Sequence, residues 1–332
     1  MYGRKFRIIV ISKENCMRRY ARKEKRVYTS PQRARQVLFL SLLFLSSFLI
    51  AFGSIKLAGY IRHARNTKQI SQSLREIYYA PTSNIISLEP SAPDTPKADI
   101  SPSPAPDFSA LILPERSYSD NPYAVALDRF SGLRKLNPDI VGWLCADTLI
   151  DEPVVHKDNF AYLAKDYLGQ SNPNGAIFLD EHCDLSSRPY TYVLYGHNMK
   201  SGSMFGCLRE YEKLPYFTDH PFISFDTVYE TGTYVVFAVG TVCTDETDWR
   251  YMDFSKLCSK YIPYRRDMIR KLQIVSSIDC PVDVSAEDQL LLLVTCSDNT
   301  DSRRFIAARR IRDQEDKSRL MNIIAHSKES NR

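Results

Sequence analysis

The chain has 332 residues, of which 44% are hydrophobic and 25% charged, an ordinary composition for a globular protein. This length fits two domains, or one domain with appendages. The formal net charge of +5 is unevenly distributed. Residues 1–36 contain 12 Lys and Arg and two Glu, whereas the rest of the chain contains 32 basic and 37 acidic residues. Because the basic excess is confined to the tail, we expect no nucleic-acid partner.

The basic tail is followed by residues 37–55, an uncharged run of 19 residues with the sequence V-L-F-L-S-L-L-F-L-S-S-F-L-I-A-F-G-S-I. As a helix it would be about 28 Å long, close to the hydrocarbon thickness of a bilayer. A cleaved signal peptide would have a shorter basic region, a shorter apolar core and a small-residue cleavage site. The positive-inside rule therefore predicts a single-pass cell-membrane protein with a cytoplasmic N-terminus and an extracellular remainder.

Residues 56–118 are predicted to be a juxtamembrane segment and a stalk. Nine of the 18 prolines lie between Pro81 and Pro122, together with many Ser and Asp residues. Such a composition buries too little apolar surface to offset the entropy of ordering, and proline keeps it extended. Residues 119–332 form the predicted globular domain, which is long enough to build one core.

The globular part is predicted to be mostly β, as a barrel or a sandwich. Apolar residues at helical spacing indicate a helix over Tyr123–Leu136. A helical insertion, interrupted at Pro263, is predicted at 253–273, between two strands. Short β-rich runs bounded by turn residues predict the strands, which are Ile140–Leu144, Pro153–His156, Ala176–Leu179, Thr191–Tyr195, Thr231–Val242, Gln289–Thr295 and Phe305–Ile311.

Eight cysteines are present, and the predicted topology places Cys16 inside and seven outside. An odd number outside leaves at least one thiol unpaired or paired between chains. We find no Cys-x-x-Cys spacing and expect neither a metal nor a cofactor. The sequence leaves open whether six of the cysteines form disulfides, and free thiols are favoured; these six are Cys145, Cys183, Cys207, Cys243, Cys258 and Cys280.

Two short segments have the residue types for amide cleavage by a thiol. His197 follows a predicted strand in T-Y-V-L-Y-G-H-N-M, and Cys296 ends the apolar run Q-L-L-L-L-V-T-C. An imidazole or guanidinium stabilises a thiolate, a guanidinium supplies oxyanion donors, and an imidazolium protonates a leaving amine. The basic pair Arg303 and Arg304 begins the next strand. Each residue alone is more typical of a buried thiol, a turn or a solvated surface, so the combination carries the prediction.

These segments resemble the sortase signature, in which a Thr-Leu-x-Thr-Cys strand end is followed by an Arg that starts the next strand. G-H-N resembles the segment with the sortase catalytic His. The stretches N-P-D-I-V-G-W-L, I-D-E-P-V-V-H-K-D-N-F-A-Y-L, G-A-I-F-L-D and S-G-S-M-F-G are similar to class B sortases, as is the placement of the helical insertion before the Cys strand. The resemblance extends over residues 120–312.

The resemblance implies a distorted eight-stranded β-barrel with an N-terminal helix, preceded by one transmembrane helix. It implies a cysteine transpeptidase that cleaves a C-terminal Asn-Pro-x-Thr type signal after Thr through a thioester. The protein partners would be surface proteins that bear sorting signals, and the acceptor a lipid-linked peptidoglycan precursor or a pilin amine. By position, Cys296 would be the nucleophile, His197 the acid and base, and Arg304 the oxyanion donor. Substrate-binding positions would be Asn159, Leu163, Thr295, Asp298, Tyr261 and Ile262.

Three departures from the family pattern are present: Leu292 replaces the first Thr of the signature, the loop from Cys296 to Arg304 is short, and Val294 stands where a small polar residue is common. We choose Arg304 over Arg303 because the family's Arg directly precedes a short apolar strand. Papain-like peptidases place Cys before His in the chain, and the His-Gly-Cys type cluster of L,D-transpeptidases is absent. The remaining alternatives are a class B-like pilin polymerase and a non-catalytic surface-binding barrel.

Overall fold

The computed structural model describes residues 31–80, 111–118, 121, 125–296 and 301–330. Cys296 is described through its backbone alone. The first 30 residues of the predicted tail, most of the predicted stalk, and Asp298 lie outside the described residues. The chain divides into two compact units, Met1–Ile61 and Arg62–Arg332.

A long helix, α1 (Pro31–Tyr78), contains the predicted membrane segment. By length and composition it is apolar enough to cross a membrane within Leu38–Tyr78. The helix continues from the predicted membrane segment into the predicted juxtamembrane segment and ends at Tyr78. No proline lies between residues 56 and 78, so no backbone N–H is missing from the helix there.

Eight strands close into one barrel, which confirms the predicted fold class. The order around the barrel is β1-β2-β3-β4-β8-β9-β6-β5, with β5 paired to β1. The bounds are β1 Ile140–Ala146, β2 Ile150–His156, β3 Phe178–Leu179, β4 Thr191–His197, β5 Phe222–Thr227, β6 Thr233–Cys243, β8 Leu290–Cys296 and β9 Ser302–Arg310. Strands β7 (Ile278–Asp279) and β10 (Lys328–Glu329) form a separate two-stranded sheet.

The barrel core is built from strands that are buried on both faces. In β8, the run from Leu290 to Val294 is at most 2% exposed. Such a strand reads as a continuous apolar run because elements cover its outer face as well as its inner face. The 3-10 helix Phe205–Glu212 lies against β4, β8 and β9 and provides part of this cover.

The helix predicted over Tyr123–Leu136 is shorter than expected. A 3-10 turn covers Asp128–Phe130 and α2 covers Ser131–Leu136, whereas 125–127 is extended. The backbone N–H of Leu127 donates to the carbonyl of Val228 at 2.7 Å, so the chain pairs with the barrel there instead of coiling. Two further helices, α3 (Leu214–Asp219) and α5 (Lys317–Ile324), and strand β5 were not predicted.

The predicted helical insertion lies between β6 and β8, as expected. It contains a 3-10 turn, Phe254–Lys256, and α4, Ile262–Ile274. Pro263 does not interrupt a helix but lies in the first turn of α4, where a missing N–H costs nothing. The guanidinium of Arg265 is fully buried and anchors α4 by donating to Thr191 Oγ1 and to the carbonyls of Ala286, Tyr190 and Asp288.

Two segments that precede the predicted domain pack against the barrel. In α1, Leu74 and Tyr78 are buried, and the Tyr78 ring stacks on that of Trp143 with centroids 4.4 Å apart. Residues 111–118 pair with the insertion through an Ile112–Tyr261 bridge and a 2.9 Å bond from the N–H of Leu113 to the Lys260 carbonyl. The predicted boundary at residue 119 stays a prediction, and both segments contribute to the core around the barrel.

Candidate active site

The structure brings the backbones of His197 and Cys296 to paired positions at the same end of the barrel. Strands β4 and β8 are parallel, and their register runs from Thr191 opposite Leu290 to His197 opposite Cys296. The two residues are the last of their strands. Although 99 positions separate them in the chain, strand pairing makes them neighbours.

The His197 ring is held by a backbone carbonyl. Its Nε2 lies 2.7 Å from the carbonyl oxygen of Leu163, in the loop between β2 and β3. A carbonyl only accepts hydrogen bonds, so Nε2 carries the proton and Nδ1 is the basic nitrogen of the neutral ring. The ring is half-buried, and its observed hydrogen bond is made through Nε2.

Gly175 leaves room for the His197 ring. Its φ is +62°, a conformation that favours glycine. A Cβ there would lie 2.9 Å from Cδ2 of His197 and 2.8 Å from the carbonyl oxygen of Leu163. The absence of a side chain at this position therefore permits both the ring position and the carbonyl that holds it.

Arg304 is fixed at the start of β9, beside the end of β8. Its backbone N–H donates to Thr295 Oγ1 at 3.0 Å, and Thr295 is 1% exposed. Its side chain donates through Nε to Glu212 Oε1 at 2.7 Å. Because one carboxylate oxygen occupies Nε, the terminal nitrogens of the guanidinium retain donors for another acceptor.

The other predicted substrate positions are distributed over two regions. Asn159 is half-buried, and its side-chain amide donates to Asp180 Oδ2 at 3.2 Å and accepts from the Glu181 N–H at 3.0 Å. Leu163 contributes the carbonyl that holds His197. Tyr261 is 45% exposed, and Ile262 begins α4. Thr295 was predicted to bind substrate, and the contact observed for its hydroxyl is with the backbone of Arg304, a predicted catalytic residue.

In the part of the chain that the structure describes, three cavities have volumes of about 750, 570 and 410 Å³, and none is lined by His197, Thr295 or Arg304.

Three features of this site were missed at the level of the sequence. The carboxylate of Glu212, the carbonyl of Leu163 and the free space at Gly175 all depend on contacts between distant parts of the chain. Glu212 lies 92 residues before Arg304, and no local pattern marks it as a partner. The positive φ of Gly175 was detectable only as an N-P-N-G turn signal, which does not identify His197 as its neighbour.

Comparisons with known proteins agree with the fold. Residues 147–311 match the sortase domain. The chain is 34% identical over 202 residues to sortase B of Listeria monocytogenes, covering 59% of this chain and 78% of the relative. It is 31% identical over 172 residues to sortase B of Staphylococcus aureus, covering 51% of this chain and 68% of the relative.

A solved structure shares the architecture. The crystal structure of a protein similar to sortase B from Bacillus anthracis superposes with a TM-score of 0.54 at 26% identity. The match covers 75% of this chain and 98% of that protein. It extends well beyond residues 147–311, the range of the sortase domain match.

Proposed function

Because this chain belongs to the sortase family, in its class B, and is a cysteine transpeptidase acting on proteins that bear sorting signals, we propose that it cleaves an Asn-Pro-x-Thr type signal after Thr. The acyl group that ends in this Thr is then transferred to an amine of the cell wall. In this proposal Cys296 is the nucleophile, His197 the acid and base, and Arg304 the oxyanion donor.

The proposed reaction has two halves. The thiolate of Cys296 attacks the Thr carbonyl carbon, and the terminal nitrogens of Arg304 stabilise the oxyanion. The tetrahedral intermediate collapses to a thioester while protonated His197 gives its Nδ1 proton to the leaving amine. An incoming amine then attacks the thioester, His197 takes its proton, and Cys296 leaves as thiolate.

The observation that carries this proposal is the pairing of His197 with Cys296 across β4 and β8. Register partners on adjacent parallel strands are the closest residues between those strands, so the pairing supports direct proton exchange at one site. The position of Arg304 on the other side of β8 also supports the proposal, because its backbone N–H donates a hydrogen bond to Thr295, the residue that precedes Cys296.

The substrate groove is proposed to have two walls. Asn159 and Leu163 belong to the wall between β2 and β3, while Tyr261 and Ile262 belong to the wall formed by the insertion. Thr295 and Asp298 flank Cys296 in the chain and complete the proposed peptide contacts.

The proposed topology follows from the charge pattern. Residues 1–36 lie in the cytoplasm, 37–55 span the membrane, 56–118 link the anchor to the barrel, and 119–332 form the catalytic domain outside. The basic excess before the apolar segment supports this orientation. A protease-protection experiment on intact cells tests it: an epitope at the C-terminus should be digested from outside.

The activity is tested with the full chain in detergent, an Asn-Pro-Gln-Thr peptide labelled on both sides of the Thr, and triglycine as the acceptor amine. We expect cleavage after Thr, a triglycine adduct, and a thioester on Cys296 detectable by intact mass. Cys296→Ala should lose both products and the thioester, whereas Cys145→Ala, which removes a half-buried thiol on β1, should keep them. Turnover by Cys296→Ala would contradict the proposal.

The same assay separates the two candidate acceptors. If a peptide with a pilin-type lysine replaces triglycine and is the better acceptor, the enzyme is a pilin polymerase rather than a wall-anchoring enzyme. Preference for triglycine or for a lipid-linked peptidoglycan precursor supports wall anchoring.

A further inference from the structure

Two thiols outside the catalytic site lie against each other. Sγ of Cys183 is 2.8 Å from Sγ of Cys258, although 75 positions separate them in the chain. Cys183 lies in the connection between β3 and β4 and is fully buried. Cys258 is half-buried in the insertion, shortly before α4. Both thiols are directed at the carbonyl of Thr191, at 3.4 and 3.9 Å.

The geometry of this pair is close to that of a bonded one. A disulfide has an S–S distance of about 2.0 Å, so the two sulfur atoms are about 0.8 Å from bonding distance. Other described thiols have different partners: Cys207 donates to the Met204 carbonyl at 3.1 Å, and Cys280 donates to the Val236 carbonyl at 3.8 Å. The approach of Cys183 and Cys258 is therefore not shared by Cys207 and Cys280, which contact backbone carbonyls instead.

We propose that Cys183 and Cys258 form a disulfide that fastens the helical insertion to the barrel. The oxidant is a second disulfide, either a small molecule such as oxidised glutathione or an exported oxidoreductase. The thiolate of Cys258 attacks it to form a mixed disulfide and releases one thiol. The thiolate of Cys183 then attacks the sulfur of Cys258 and releases the second. Two protein thiols become one disulfide, and the oxidant becomes two thiols.

The environment of the pair explains the order of these steps and the stability of the bond. Burial raises the pKa of Cys183 well above its ordinary value, so its thiolate is scarce. The more exposed Cys258 is thus the thiol that meets an external oxidant. The same burial shields the finished bond from external thiols, so the disulfide should form slowly and resist reduction.

A bound metal ion is the competing use of these side chains. Asp180, Cys183 and Cys258 each offer a ligand atom within 4.8 Å of the others. However, the Asp180 carboxylate is already occupied: Oδ1 accepts the His182 N–H at 2.8 Å, and Oδ2 accepts the Asn159 amide at 3.2 Å. A structural zinc site has four ligands, whereas only three are present here and the carboxylate among them already accepts two hydrogen bonds. The arrangement therefore fits a pair of thiols better than a tetrahedral zinc site.

The disulfide would act on the proposed substrate groove. Cys258 is three residues before Tyr261, in the wall formed by the insertion. Asp180 is three residues before Cys183 and accepts a hydrogen bond from the side chain of Asn159, in the opposite wall. The bond would limit the separation of these two walls. This consequence rests on the proposed function and its extracellular location, where disulfides persist, whereas formation of the bond can be measured without turnover.

The test uses the full-length chain in detergent, in the Cys296→Ala background so that the catalytic thiol takes no part. The protein is equilibrated with oxidised glutathione, alkylated with N-ethylmaleimide in denaturant so that buried thiols also react, and mapped without reduction by mass spectrometry. We expect a cross-linked peptide containing Cys183 and Cys258 and two fewer alkylated positions. Cys183→Ser and Cys258→Ser should each abolish it, whereas Cys207→Ser should not.

Two outcomes would overturn the proposal. The first is full alkylation of both Cys183 and Cys258 after prolonged oxidation. The second is one zinc ion per chain, released by a chelator and lost in Cys258→Ser, with both thiols reduced. Since the catalytic cysteine is absent from every sample, neither outcome bears on transpeptidation, which the peptide assay tests separately.

Discussion

Replacing Gly175 with alanine should disable the site without removing any proposed catalytic group. The added Cβ would lie 2.9 Å from Cδ2 of His197, 2.8 Å from the Leu163 carbonyl oxygen and 2.9 Å from that of Tyr162. Two of these three neighbours are backbone atoms, so rotating a side chain cannot relieve the overlap. We expect the backbone around Gly175 to shift and the His197 ring to be displaced.

A matched control separates the energetic cost of the positive φ from the cost of the contacts that the added Cβ makes. Gly169 also has a positive φ, +78°, but a Cβ there would meet nothing within 4 Å. Gly169→Ala should therefore cost only the left-handed backbone penalty, about 1–2 kcal/mol of unfolding free energy. Gly175→Ala adds overpacking, typically about 1–3 kcal/mol. Displacing an acid–base imidazole costs about 100- to 10,000-fold in rate.

The assay measures kcat/KM on the labelled peptide and the unfolding free energy in denaturant for both variants. We expect Gly169→Ala to keep wild-type turnover and Gly175→Ala to lose at least about 100-fold while remaining folded. Should Gly175→Ala lose more stability than Gly169→Ala, as expected, and yet keep the same turnover, the position of the His197 ring would not matter to the reaction, and the proposed role of His197 would fail.

Three further predictions concern neighbouring parts of the molecule. Arg304→Lys should lose about 100- to 1,000-fold in turnover, because an ammonium cannot replace the planar guanidinium. Arg303→Lys, on the other face of β9, should stay active. The opposite result on the same peptide would make Arg303 the catalytic residue. Burial raises the pKa of Glu152 from 4.5 to about 7, so the folded state binds this proton more tightly than the unfolded state. The resulting stability is complete below pH 4.5 and falls by up to about 3 kcal/mol as the pH rises through 7; Glu152→Gln should flatten that part of a denaturation series, and an unchanged series would refute the assignment. A truncated chain of residues 62–332 should have an unfolding free energy at least about 3 kcal/mol higher than that of a chain of residues 119–332, because the shorter chain loses two buried α1 side chains. Equal denaturation midpoints would show that α1 does not stabilise the barrel.

Much of the fold was readable from local patterns. Strands β4, β8 and β9 were each predicted to within a few residues, because apolar runs bounded by turn residues mark buried strands. Strand β5 was missed because its sequence, F-I-S-F-D-T, is short and only three of its six residues are apolar. The helix near residue 123 was predicted too long because the contact of Leu127 with Val228 replaced helical hydrogen bonds, and no local pattern reports such a contact.

The residue types of the site were also evident, whereas their support was not. Cys296, His197 and Arg304 were selected because their chemistry and their places at predicted strand ends agree with the family signature. Their supporting contacts come from residues without a recognisable chemical pattern, such as the carbonyl of Leu163 and the carboxylate of Glu212. A backbone carbonyl has no signature in a sequence, because every residue has one.

The sequence by itself determined the properties that depend on neighbouring residues: the uncharged apolar segment at 37–55, the basic tail before it, and the apolar strand that ends at Cys296. Only the tertiary structure decided which distant residues meet. The pairing of His197 with Cys296, the space for the ring at Gly175, and the approach of Cys183 to Cys258 all depend on barrel closure. Barrel closure sets the register between strands far apart in the chain, and that register follows from burying all eight strands together.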